Sequence, residues 1–113
     1  MIARAINIFL FFPVSPVFDN VPQNVTVLEQ ERRNVTMYCN ATGRPTVKLS
    51  WIRVRDGKTV ASGNTLLILA ADRSHRGKYR CVADNGVGNP VSKLGFLEVH
   101  CKLVSSSLTF KQT

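Results

Sequence analysis

Gly77-Lys78-Tyr79-Arg80-Cys81-Val82-Ala83-Asp84-Asn85-Gly86-Val87-Gly88 is the stretch whose reading decides the fold. Tyr79, Cys81 and Ala83 alternate with Lys78, Arg80 and Val82, so the segment reads as a strand with one face turned to a core. Asn85-Gly86 then tolerates the positive φ that a tight reversal needs, and the segments ending at Asp84 and starting near Pro90 are expected to pair as neighbours. Outward from this hairpin the same two-residue period recurs. Upstream the inward sets are Val25 with Val27, then Val35, Met37 and Cys39, then Leu49 with Trp51, then Leu66 with Ile68. Downstream, Leu97 and Val99 close the series. Gly43-Arg44-Pro45, Asp56-Gly57 and Ser62-Gly63-Asn64 punctuate the strands and are expected to form hairpin turns. No segment carries a helical period, so the pattern is that of an all-β sandwich of two antiparallel sheets.

The chain has 113 residues and is 44% hydrophobic, enough for one core and too little for two. Its formal charge is +8, from 15 Lys and Arg against 7 Asp and Glu, which draws it toward sulfated glycans, acidic proteins or other anionic surfaces. The basic residues are scattered rather than run together, as on an ordinary solvated surface. Cys39, Cys81 and Cys101 contain no Cys-x-x-Cys pair and have only His75 and His100 as nitrogen co-ligands. A zinc site is therefore not expected, and no metal or cofactor is. A disulfide between two of the three is the better use. Three acceptor triplets, at Asn24, Asn34 and Asn40, point to a secretory, oxidising route and hence to N-glycosylation. Residues 1–15 carry Arg4 followed by an apolar stretch to Phe12; they read as a short secretory leader or as the start of a fragment. No stretch reaches the roughly 20 apolar residues that cross a bilayer, so no transmembrane segment is expected. After Val99 the pattern fades, and residues 100–113 read as a disordered tail or a truncated junction.

Cys39, Trp51 and Cys81 stand in the order and spacing of an inter-sheet bridge with an indole packed on it, and Tyr79 lies two residues before the second cysteine. Further motifs coincide with these. They are Ala41-Thr42-Gly43-Arg44-Pro45, Leu66-Leu67-Ile68 with Ala71, Gly77-x-Tyr79-x-Cys81, and the run from Cys81 to Gly88. Together they cover about three quarters of the chain, and residues 16–99 resemble an intermediate-set immunoglobulin domain of the kind found in neural cell adhesion molecules and hemicentins. The resemblance implies an immunoglobulin-like Greek-key sandwich with a Cys39–Cys81 disulfide, a core containing Trp51, Tyr79, Leu66 and Ile68, and an extracellular, non-enzymatic role in protein recognition. In the chain-entropy description, a bridge closing a loop of this length stabilises the fold by about 4 kcal/mol. Two departures stand out. His75 occupies the place where the family carries an acidic residue, with Asp72 nearby to take over its contact. The family's Glu-Gly turn is Glu29-Gln30-Glu31-Arg32-Arg33 here, which predicts a longer, looser loop. Cys101 lies outside the pattern; it reads as a free thiol, or as a link to another chain or to a segment beyond this one.

The alternation also assigns faces. With Val25, Val35, Met37 and Cys39 inward, Asn24, Asn34 and Asn40 are all expected outward on one sheet. The opposite, sugar-free sheet then presents Ile52, Val54, Arg80, Val82 and Phe96, a mixed apolar and basic face suited to another immunoglobulin-type or cell-surface protein, of the same or a different chain. Arg53, Arg55, Lys58 and Lys78, with Arg80, form the alternative: a patch for heparan-type glycans. An intracellular structural module is a further alternative. No nucleophile–base motif, acidic pair or phosphate loop suggests an enzyme, and no stacking platform or finger pattern suggests nucleic-acid binding.

Overall fold

In the computed structural model, which describes residues 12–101, nine strands and two short 3-10 turns follow one another. The strands are β1 (Val14–Asn20), β2 (Val25–Leu28), β3 (Val35–Tyr38), β4 (Asn40–Arg44), β5 (Lys48–Arg53), β6 (Lys58–Ser62), β7 (Thr65–Ile68), β8 (Gly77–Asp84) and β9 (Val91–His100). Five of them form one sheet in the order β2-β9-β8-β5-β6. β1 pairs with β4 and β3 with β7; because only Cys39 separates β3 from β4, these two pairs make one continuous opposing layer. The result is the expected all-β immunoglobulin-type sandwich. β1 begins at Val14, two residues inside the stretch read as a leader, and the remainder of that stretch, residues 1–11, lies outside the described residues, as do residues 102–113 of the expected tail.

The core lies where the alternation puts it. Trp51, Cys39, Cys81, Ala83 and Leu97 are fully buried, with Met37, Leu66, Tyr79, Val35, Ile68 and Val99 nearly so. Each large apolar side chain removed from water in this way is worth roughly 1.5–3 kcal/mol. The Cys39–Cys81 disulfide ties the two layers, its Cα atoms 6.7 Å apart, and Trp51 sits directly opposite Cys81 in the β5–β8 register. The indole therefore fills the space beside the sulfurs. Its Nε1–H has no acceptor among the described residues, so volume rather than hydrogen bonding is what this position supplies. Tyr79 holds the turn before β8 by donating its hydroxyl to the His75 carbonyl. Gly95 leaves no room for a side chain: a Cβ there would stand 2.4 Å from Met37 Cε and 2.7 Å from Pro22 Cβ.

Three expectations need correction. First, β2 does not extend the layer that contains β3: it lies parallel to β9, pairing Val25 with Leu97, so the sandwich is antiparallel except for this one pair. Pro22, between β1 and β2, cannot donate to a ladder, and the chain changes layers there. Secondly, of the four turn clusters only two close hairpins. Asp56-Gly57 joins β5 to β6 and Asn85-Gly86 leads β8 into β9, whereas Gly43-Arg44-Pro45 and Ser62-Gly63-Asn64 carry the chain between layers. Thirdly, residues 29–33 form a tight 3-10 turn, Glu29–Glu31, closed by the Arg32 amide donating to the Glu29 carbonyl. Arg32 adopts φ 48°, the left-handed conformation that a glycine takes at lower cost. At the place where the family carries an acidic residue, His75 shares a reciprocal cap with Asp72, the residue expected to take over the contact. Asp72 accepts from the Ser74 amide, and His75 Nδ1 accepts from the Asp72 amide at 3.0 Å.

Candidate functional site

The outer face of the five-stranded sheet brings all five candidate recognition residues together. In the β5–β8 register Ile52 stands opposite Arg80, and in the β8–β9 register Arg80 stands opposite Leu94. Ile52, Arg80 and Leu94 thus form one row across three strands, with Thr59 of β6 at its end. Val82 lies in the adjoining row between Ser50 and Ser92. On the other side Val54, whose amide donates to the Lys78 carbonyl, continues into Lys78 and Phe96. Ile52, Val54, Arg80, Val82 and Phe96 are half-buried by their neighbours, and Leu94 is 46% exposed. The face is therefore an apolar strip with a guanidinium at its centre and an ammonium beside it, and the β5–β6 register shifts between Trp51 and Ile52 at its edge. Beyond its corner, at the Asp84 end, Val82 also lines a shallow depression with Leu49, Ser50 and Ser62.

The five cations read as a glycan patch sit in different settings. Arg53 shares the inward parity of Trp51 and covers the open end of the core, where it reaches Asp56 with Nη2 at 2.7 Å and Nε at 3.1 Å. The paired guanidinium raises no free charge to the face. It holds the Asp56 carboxyl at about 2, below its usual 3.8, and the Lys58 amide adds a second hydrogen bond in the same direction. Arg55 and Lys58 are exposed at the β5–β6 hairpin, while Lys78 and Arg80 sit on the sheet.

The three acceptor asparagines separate as well. Asn34 and Asn40 flank β3 in the smaller layer, but Asn24 lies at the edge of the five-stranded sheet, where its Oδ1 accepts from the Phe96 amide at 3.1 Å. The larger sheet is thus not free of acceptors, as the strand parity had implied; Phe96 is the face residue nearest to one. Asn40 is half-buried and spends its Nδ2 on both oxygens of Asp19, at 3.0 and 3.3 Å. Asn34 is exposed, and its Oδ1 accepts from the Ala70 amide at 3.0 Å.

Cys101, at the end of β9, is exposed and its thiol contacts Glu29 Oε1 at 3.3 Å. Among the described residues no group of three His, Cys, Asp or Glu is placed to hold a metal ion, and no helix is long and apolar enough to cross a membrane. One surface escaped the sequence reading. Tyr38, Leu67 and Leu69 are 44%, 55% and 63% exposed on the outer face of β3 and β7, although strict alternation around Met37 and Ile68 contained the signal.

Comparison with known proteins agrees with this architecture. Residues 15–85 match the family model described as immunoglobulin domain. The chain is 41% identical to mouse (Mus musculus) hemicentin-1 over 95 residues, covering 73% of this chain and 2% of that protein. It is 34% identical to chicken (Gallus gallus) neuronal growth regulator 1 over 88 residues, covering 77% of this chain and 24% of the relative. Among solved structures it is similar to Dpr2 Ig1-Ig2 in complex with DIP-Theta Ig1-Ig3, with a TM-score of 0.66, 32% identity and coverage of 78% of this chain and 33% of the other. The chain spans only a small part of the curated relatives it matches. With the disulfide across the layers, the buried tryptophan and the matched residues in agreement, the chain belongs to the immunoglobulin domain family.

Proposed function

We propose that this chain is an extracellular protein-recognition domain of the adhesion or receptor type, which docks another immunoglobulin-type domain through the outer face of its five-stranded sheet. The observation that carries the reading is the row Ile52–Arg80–Leu94. Two apolar side chains flank a cation on a surface whose backbone is held in the sheet. Burying them supplies association energy, while the guanidinium, matched by an acidic group on the partner, sets orientation. Sheet faces hold their side chains on rigid backbone, so little ordering entropy is lost on docking. A solved complex of Dpr2 Ig1-Ig2 with DIP-Theta Ig1-Ig3, one of the structures this chain resembles, supports an immunoglobulin-type partner.

The net charge of +8 favours a partner of acidic surface over a second copy of this chain. The test is a screen of the chain, multimerised for avidity, against secreted immunoglobulin-type ectodomains, repeated with Ile52→Asp and Leu94→Asp. Binding to an ectodomain that both substitutions weaken by at least about 10-fold, with the thermal melt held within a few degrees, is the expected outcome, as for truncation of a central interface residue. Equal binding by wild type and both variants would remove this face from the function.

A further inference from the structure

We propose that Asn34 carries an N-linked glycan whose first sugars lie across Leu69, Leu67 and Tyr38 and cover the outer face of β3 and β7. The register lays out that face in rows. Val35 pairs with Ile68, so Asn34 and Leu69 are opposite one another just beyond the pair; Thr36 is opposite Leu67, and Tyr38 opposite Thr65. The acceptor asparagine and the hydroxyl residue of its triplet, Asn34 and Thr36, thus stand beside the two exposed leucines. The bond from the Ala70 amide to Asn34 Oδ1 fixes the side chain at that spot and leaves Nδ2 for the sugar. Asn40 offers the opposite situation, since its Nδ2 is held by Asp19 between β1 and β4.

The face also needs a cover. Among the described residues β7 is paired on one side only, by β3, so Leu67 and Leu69 lie beside an open sheet edge. An apolar patch next to unpaired backbone is a recognised route to aggregation. A sugar ring offers its C–H face to Tyr38 and the leucines while keeping its hydroxyls in water. Attachment requires a polyprenyl-diphosphate oligosaccharide as donor. Asn34 Nδ2 attacks the anomeric carbon, the C–N bond forms as the anomeric C–O bond breaks, Nδ2 releases one proton and the lipid diphosphate departs.

The inference shares with the proposed function only the secretory route; it concerns the opposite layer. The experiment uses the intact chain secreted from cultured animal cells. Glycopeptide mass spectrometry reads occupancy at Asn34, and hydroxyl-radical footprinting reads access to Tyr38, Leu67 and Leu69. Three forms are compared: the native glycoprotein, the same protein trimmed with an endoglycosidase after folding, and Thr36→Ala, which removes the acceptor triplet while leaving the Asn34–Ala70 bond. Occupied Asn34, several-fold lower labelling of the three side chains in the native form than in Thr36→Ala, and increased self-association of Thr36→Ala on sizing are expected. Trimming separates inner from outer sugars, and protection should survive it because the first residue remains. An unoccupied Asn34, or equal labelling in the native and Thr36→Ala forms, overturns the inference. Either result leaves the effect of Ile52→Asp on partner binding untouched, so the two proposals fail separately.

Discussion

Replacing Gly95 by alanine tests how tightly β9 packs on Met37 and Pro22. The new methyl carbon would stand 2.4 Å from Met37 Cε and 2.7 Å from Pro22 Cβ, where unstrained carbon contacts are about 3.5–4.0 Å. One neighbour must therefore move by about 1 Å or more. Met37 is 1% exposed and has no solvent to swing into, and the Pro22 ring is rigid. Overpacking of this kind costs about 1–3 kcal/mol, which for a domain of this size lowers Tm by about 4–8 °C per kcal/mol. Met37→Leu removes the terminal methyl that makes the closest contact and, alone, costs under about 1.5 kcal/mol. Urea denaturation of the wild type, both single variants and the double variant gives the coupling. Gly95→Ala is expected to lose part of its penalty in the Met37→Leu background, the contact with Pro22 keeping the rest, with an interaction energy above about 0.5 kcal/mol. Additivity within about 0.5 kcal/mol, or a Gly95→Ala variant as stable as wild type, would refute this packing arrangement.

Other perturbations have signs set by single contacts. Arg32→Gly relieves a left-handed backbone at φ 48° and should stabilise the domain by about 0.5–1 kcal/mol in the same assay, while Arg32→Ala should not. Tyr79→Phe deletes the hydroxyl that reaches the His75 carbonyl and should cost about 1–2 kcal/mol, read as a lower Tm without loss of the sandwich's circular dichroism. The Asp56 carboxyl, held at about 2 by its hydrogen bonds to Arg53 against a usual 3.8, contributes stability that is present above its unfolded value of 3.8 and is lost progressively as pH falls through about 2. Asp72, lowered by Ser74, and Glu29, lowered by the Cys101 thiol, act in the same direction. Denaturation midpoints measured between pH 2 and 5 should fall with pH in wild type and fall less in Asp56→Asn.

The core was legible because a two-residue period fixes which way a side chain points. Met37, Trp51, Leu66, Tyr79 and Leu97 needed nothing more than that period and the positions of the cysteines. Parity does not say which sheet a strand joins. Val25-Thr26-Val27 reads identically in either layer, and only the tertiary pairing with Leu97 to Val99 puts β2, and Asn24 with it, on the larger sheet. Arg53 illustrates the converse: its parity with Trp51 marked it as inward, but a long cationic side chain suggests a surface unless a partner such as Asp56 lies three residues on. The tightness of the 29–33 turn is hidden in the sequence because arginine rarely adopts φ above zero, and no local residue signals that Arg32 does so. Gly95 looked like any glycine within a strand, since close approach of a second layer leaves no mark in one segment.

Recognition through the larger sheet is tested most directly by hydrogen–deuterium exchange on the chain, free and bound to the ectodomain that it recognises. Slowed exchange confined to β5, β8 and β9 around Ile52, Arg80 and Leu94 is the predicted result. Slowing confined to β3 and β7, with the five-stranded sheet unchanged, would contradict it.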